Sequence, residues 1–257
     1  MKSVALIGAG NVNWHLGHAL NKKYYKVIQV FSRTRTSAAA LGKSLGCTTT
    51  IKLNRIKLEA DIVLIAVHDD AVANVAEALK YLEDGKRLFI HTSGSVPISV
   101  LEKNFSLCGV FWPPQTIRKE KKIVLKKTPF VVVANDHSKS EVVKFAKHLS
   151  NKIEILSDKQ KRSLHLAAVF ANNFTNHLFK IAFDICQEQD LDFELLLPII
   201  RETAGKITKE DPSLLQTGPA IRSDKKTITD HLSLLKKDRE LKKIYTLLTN
   251  NINPSLK

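Results

Sequence analysis

Cysteine is scarce in this chain. Cys47, Cys108 and Cys186 stand far apart, with no C-x-x-C pair and no histidine spaced to join them. That argues against a zinc cluster or a disulfide framework and for a reducing compartment, so no metal is expected and the expected location is cytoplasmic. Long apolar runs are lacking too, and nothing approaches the ~20 residues that span a bilayer, so no membrane partner is expected. The apolar stretch 3–9 is broken at Gly8 and Gly10 and followed by Asn11, Asn13 and His15, too short for a signal-peptide core. Acid is missing from the start of the chain: ten basic residues precede the first carboxylate, Glu59.

What is present is an ordinary globular mixture. The 257 residues are 44% hydrophobic and 25% charged, enough for one large domain or two modest ones. The net charge of +15 is uneven: residues 1–156 carry 24 basic and 12 acidic side chains, residues 157–257 carry 16 and 13. A positive first half suits an anionic ligand, whether nucleotide, acidic substrate or nucleic acid. Nucleic acid is the least favoured, because no aromatics are interleaved with the lysine-rich segment 118–127, which reads as a solvated loop.

Apolar runs at 4–7, 27–31, 62–67, 87–91, 110–111 and 130–134 alternate with amphipathic segments at 11–22, 36–45 and 70–82. Apolar runs without period-2 alternation are buried on both faces, as in a parallel sheet covered by helices. The first half is therefore expected to be doubly wound α/β. Beyond Leu156 the strand pattern ends, and helices are expected over 163–179, 193–206, 227–235 and 238–250. Segment 163–179 has no charged residue, which predicts a helix central to a bundle. Thr227 with Asp230 resembles a capping box. The expected domains are 1–156, α/β, and 157–257, all-α.

Between the first strand and helix lies Gly8-Ala9-Gly10-Asn11-Val12-Asn13. Gly8 permits a tight turn, Gly10 lets a pyrophosphate approach the backbone, and the helix amino terminus supplies N–H donors and a positive dipole. Gly8 to Val12 are thus the expected pyrophosphate contacts. Asn13 stands where the fingerprint has its third glycine, and Gly17 is available for close helix–strand packing. A plain strand–helix turn is the alternative; the position after the first strand of a βαβ unit favours a dinucleotide. NAD-specific sites place an acid at the end of the second strand. Here that strand ends Ser32-Arg33-Thr34-Arg35, two hydroxyls and two guanidiniums suited to a 2′-phosphate. NADP is the expected cofactor.

Ligands of open α/β sheets lie over the carboxyl ends of the strands, which puts Ala66-Val67-His68-Asp69-Asp70 and His91-Thr92-Ser93-Gly94-Ser95 beside the nicotinamide half. His68 reads as a satisfied loop histidine rather than a catalytic one, while His91 and Ser93 could reach a substrate. At ~100° per residue, His165, Asn172 and Asn176 share a ~40° stripe. On a core helix such a stripe marks a cleft or an internal hydrogen-bond network. In a cleft, His165 would donate the proton that accompanies hydride transfer, and the amides would orient a carbonyl or imine. No tyrosine is followed four residues on by lysine, which excludes a short-chain dehydrogenase; G-x-S-x-G, P-loop and H-E-x-x-H motifs are also absent.

IGAGNV from Ile7, SRT from Ser32, HTSGS from His91, WPPQT from Trp112, LHLAAVFANNFTNH from Leu164 and TGPAIRSD from Thr217 follow in order. Together they resemble the NADP oxidoreductases that join a Rossmann domain to a helical carboxyl-terminal domain of unknown function, distant relatives of pyrroline-5-carboxylate reductase and 3-hydroxyisobutyrate dehydrogenase. The resemblance spans nearly the whole chain. It implies a homodimer and a substrate site in an interdomain cleft. It brings in Asn173 beside His165, in competition with Asn172, and adds Gln115, Thr116 and Arg222 toward the substrate. Asn13 and Trp112 depart from the family pattern, since relatives often carry His-Pro or Tyr-Pro at the latter. The expected reaction is hydride transfer to or from a small, anionic carbonyl, imine or hydroxy compound. An NADP-binding protein without turnover is the alternative.

Overall fold

Val4, Ala5, Leu6 and Ile7 are completely buried, on a strand that is apolar on both faces. The computed structural model describes residues 1–22, 24–207 and 211–256. The chain forms two compact units, Met1–His177 and Leu178–Lys257, divided inside the long helical run.

In the first unit the order is β1 (Lys2–Ile7), α1 (Asn11–Leu20), β2 (Tyr25–Phe31), α2 (Arg35–Leu45), β3 (Thr48–Thr50), β4 (Ile62–Ile65), α3 (Val72–Ala78) and β5 (Leu88–His91). Then come α4 (Ser99–Glu102), β6 (Cys108–Trp112), β7 (Pro129–Ala134), α5 (Lys139–Leu149), β8 (Lys152–Ile155) and α6 (Asp158–Ala168). The sheet runs β3-β2-β1-β4-β5-β6-β7-β8, with β6 and β7 antiparallel and every other pair parallel. Although β1 is apolar throughout, its alternation still sorts side chains. Val4 and Leu6 pack with Leu16, Leu41 and Phe145 on one face; Ala5 and Ile7 pack with Val75, Leu79 and Phe105 on the other. Each such buried large side chain contributes roughly 1.5–3 kcal/mol. Because β1 sits between β2 and β4, the connections diverge there and open a crevice beyond the strand ends.

This is the expected doubly wound α/β unit with a helical region after it. α6 starts under a full capping box, Ser157 with Gln160. It continues through a π-helical turn, Val169–Phe174, into α7 (Thr175–Glu188). The expectation of a helix buried in a bundle is corrected: Leu166, Phe170 and Phe174 are 59%, 60% and 50% exposed. Lack of charge here marks an apolar surface, not a core.

The second unit contains α8 (Leu197–Lys206), α9 (Lys225–Leu234) and α10 (Arg239–Ile252). The Thr227–Asp230 cap does not form. The helix starts earlier, and Asp224 caps it by accepting the Thr227 N–H at 3.1 Å and hydroxyl at 2.8 Å. Among the described residues no helix is long and apolar enough to cross a membrane, and no group of three or more His, Cys, Asp or Glu could hold a metal.

Candidate active site

The turn after β1 is held from three sides. Gly8 has φ +102°, its N–H donates to the Phe31 carbonyl at 2.9 Å, and a Cβ there would stand 2.2 Å from the Ala66 carbonyl oxygen. Gly10, by contrast, faces open space, with nothing within 4 Å of an added Cβ. Asn13 is completely buried, and its amide donates to the carbonyls of Ile7 at 3.0 Å and Gly8 at 2.7 Å. It pins the turn that a third glycine ordinarily shapes. Gly17 takes over the packing role, since a Cβ there would lie 2.9 Å from methyl carbons of both Leu6 and Leu45.

A cavity of about 1100 Å³ opens from this turn, lined by Gly8, Ala9, Gly10, Asn11 and Val12. Ser32 and Arg33 line it after β2, Val67 and His68 after β4, Thr92 and Ser93 after β5, and Gln115 and His165 complete the expected residues on its wall. Asp69, Asp70 and Gly94, from the expected strand-end segments, line it too, as does Ser37, which the sequence pattern does not single out. The bare backbone at Gly10 and the acid-free wall at Ser32–Arg33 fit a dinucleotide with a 2′-phosphate.

Other expected residues lie off this wall. Thr34 caps α2 without entering the cavity, its hydroxyl donating to Ser37 Oγ at 2.8 Å, and Arg35 is the first residue of that helix. Thr116 accepts a hydrogen bond from Asn172 Nδ2 at 3.2 Å. Asn173 and Asn176 are exposed and line no part of the cavity. Arg222 is exposed on a turn of the second unit, where its N–H donates to the Gly218 carbonyl at 3.4 Å. Between His165 and Asn176 the helix is not regular. A π turn takes in one residue more than an α turn, and the one at Val169–Phe174 interrupts the uniform step on which the expected stripe is drawn.

His165 is positioned by packing. Its ring meets Trp112 edge-on at 5.5 Å, and a Cβ on Gly94 would lie 2.5 Å from His165 Cδ2. The missing side chain at Gly94 is what admits the imidazole. Among the described residues neither His165 ring nitrogen has a hydrogen-bond partner.

A buried polar group lies one helical turn away. Lys161 is fully buried, donates to the Val96 carbonyl and pairs with Asp158 at 3.3 Å. Burial pulls its pKa down against the attraction of Asp158. His91 is also fully buried. Its Nδ1 accepts the Ser93 N–H at 3.2 Å, while Nε2 has no partner of hydrogen-bonding geometry among the described residues. Burial first, and the Lys161 ammonium second, bring its pKa down to about 3, although the Pro97 carbonyl and the charges of Asp158 and Asp69 favour protonation. His91 is therefore a neutral prop under the Ser93 loop. Lys161 escaped the sequence reading, yet a signal existed: Ser157-x-x-Gln160 starts the helix and puts Lys161 four residues before His165, on the same face.

A Rossmann sheet with its glycine turn, an acid-free second-strand end and an imidazole on the same cavity define a dinucleotide-dependent oxidoreductase. Residues 3–92 match the family of NADP oxidoreductases described as coenzyme F420-dependent, and residues 128–252 match a domain of unknown function, DUF2520. A candidate NADP oxidoreductase from Bacteroides fragilis is 35% identical over 98% of both chains, with a TM-score of 0.89. An imine reductase from Myxococcus stipitatus, solved with NADP⁺, is 14% identical over 99% of this chain and 94% of that one, TM-score 0.75. A pyrroline-5-carboxylate reductase from Coxiella burnetii is 17% identical over 98% and 97%, TM-score 0.58. These last two likenesses are of fold. No curated protein matches the sequence. The chain belongs to the NADP oxidoreductase family that joins a Rossmann domain to DUF2520. It is an NADP-dependent enzyme.

Proposed function

We propose that this enzyme moves hydride between NADP(H) and a small carbonyl, imine or hydroxy compound, with His165 as the proton donor or acceptor. The observation that carries this reading is that the His165 imidazole and the phosphate turn open onto one cavity. Bound NADPH supplies the hydride. The chain's own part is positioning and proton transfer. Gly94 and Trp112 hold the imidazole, whose nitrogens are left for the substrate. The Ser93 hydroxyl and Gln115 amide share the wall and suit the polar atom that receives the proton. Asn172, through Thr116, steadies the loop that carries Gln115. The excess of basic residues in 1–156 supports an anionic substrate. The imine reductase of like fold supports including imines.

The test is NADPH consumption across small keto acids, cyclic imines and coenzyme F420, the last named in the family's description. With the substrate in hand, His165→Ala is expected to lower kcat by about 10²–10⁴, the usual share of a general acid, with the NADPH Kd unchanged. Unaltered turnover would remove His165 from the mechanism. We further propose a homodimer through the apolar surface around Leu166, Phe170 and Phe174. Sedimentation is expected to give twice the 28.8 kDa chain mass; a monomer at micromolar concentration would refute it.

A further inference from the structure

We propose that the β6–β7 connection is part of the cofactor site, its Arg118, Lys121 and Lys122 supplying charge for the phosphates of the dinucleotide, with Lys119 as the clasp. The proposal rests on the NADP reading of the cavity. Residues 118–122 hold four cations and one acid, Glu120, and by sequence alone they read as a solvated loop. The structure instead fastens them to the phosphate-binding helix by three separate contacts. The Lys119 N–H donates to Asn11 Oδ1 at 3.3 Å. His15 Nε2 donates to the Arg118 carbonyl at 2.9 Å. The Lys119 ammonium lies 3.8 Å from the centre of the Trp14 ring, a cation–π contact that holds the segment along α1.

Placement is what makes this more than a surface charge run. Asn11 is both the first residue of α1 and part of the cavity wall. Its side chain therefore hangs the basic turn beside the free N–H groups that receive a pyrophosphate. The turn is closed by the Lys121 N–H donating to the Arg118 carbonyl at 3.1 Å, and among the described residues Arg118, Lys121 and Lys122 are in no ion pair. The glycine turn itself offers only neutral donors. Cations within a Debye length of ~8–10 Å strengthen phosphate binding by about twofold each in a high-dielectric setting, so three together amount to about tenfold.

The experiment compares two triple variants by NADPH fluorescence titration at low and at physiological ionic strength. One is Arg118→Gln with Lys121→Gln and Lys122→Gln. The other is Lys139→Gln with Lys144→Gln and Lys147→Gln, an equal loss of charge on α5. The first is expected to bind NADPH about tenfold more weakly at low salt, the gap closing as salt rises. Displacement of NADPH by inorganic pyrophosphate should weaken in the same ratio. The α5 variant should stay within about twofold of wild type, and thermal melts of both should match it. Equal weakening in the two variants would assign the effect to the overall field and overturn the proposal, as would wild-type affinity in the first. Failure of the wild type itself to bind NADPH would instead remove the cofactor reading on which the proposal stands.

Discussion

Gly8→Ala is expected to abolish NADPH binding at micromolar cofactor and to lower stability by about 2–4 kcal/mol, whereas Gly10→Ala weakens binding and leaves the melt unchanged. The two glycines are two residues apart but do different work. At Gly8 the backbone is at φ +102°, which costs an L side chain about 1–3 kcal/mol. The added Cβ would also overlap the Ala66 carbonyl oxygen at 2.2 Å. That oxygen cannot retreat freely, because the Ala66 N–H is bonded to the Ile7 carbonyl at 2.8 Å and the Gly8 N–H to Phe31 at 2.9 Å. Relieving the clash opens the junction of β1, β2 and β4, and with it the phosphate turn. At Gly10 a methyl meets no protein atom within 4 Å, only the space a pyrophosphate would use. Arg33→Ala separates the other end of the cofactor: NADPH should bind about tenfold more weakly and NADH equally well, since only a 2′-phosphate distinguishes them. Titration with both cofactors and a thermal melt on each variant checks the set. Wild-type NADPH affinity in Gly8→Ala would show that the phosphates lie elsewhere.

The parts of this fold legible in the sequence are those in which each residue's type suffices. Ile62 to Ile65 can only be a buried strand, and a glycine turn between strand and helix implies its ligand whatever the rest does. What escaped depends on distant partners. Thr48–Thr50 has no apolar signal and is a strand because it pairs with Gln29 to Phe31. Arg118 and Lys119 have the composition of a solvated loop and become part of the α1 surface through Asn11, His15 and Trp14. The π turn at Val169–Phe174 escaped for a different reason, since a uniform ~100° step does not foresee it. Lys161 is the sharpest case. A lysine in a first helical turn ordinarily faces water, and only the Val96 carbonyl and Asp158 explain its burial.

Acid is expected to destabilise this protein largely through His91. The imidazole is completely buried and its pKa falls from 6.5 to about 3. An unfolded chain takes up the proton as pH drops through 6.5, while the folded one resists until about 3. The stability that the neutral ring confers is thus whole above pH 6.5, is lost progressively below it, and stops changing below 3. At ~1.4 kcal/mol per pH unit, roughly 3 kcal/mol disappears between pH 7 and pH 4. The groups facing the ring are Lys161, Asp158 and Asp69; neither carboxylate relieves the burial cost enough to hold the ring charged. Urea unfolding of wild type and His91→Asn at pH 7 and pH 4 isolates the effect, because an Asn carbonyl can still accept the Ser93 N–H. Carboxylates such as Asp84, held low by backbone N–H donors, affect both proteins alike. The variant should be less stable at pH 7, yet lose about 3 kcal/mol less on acidification. Parallel losses would mean that His91 is protonated in the folded protein. A ring that stays neutral down to about pH 3 also cannot be the acid for a reaction near neutrality, in keeping with the proposal that His165 has that role.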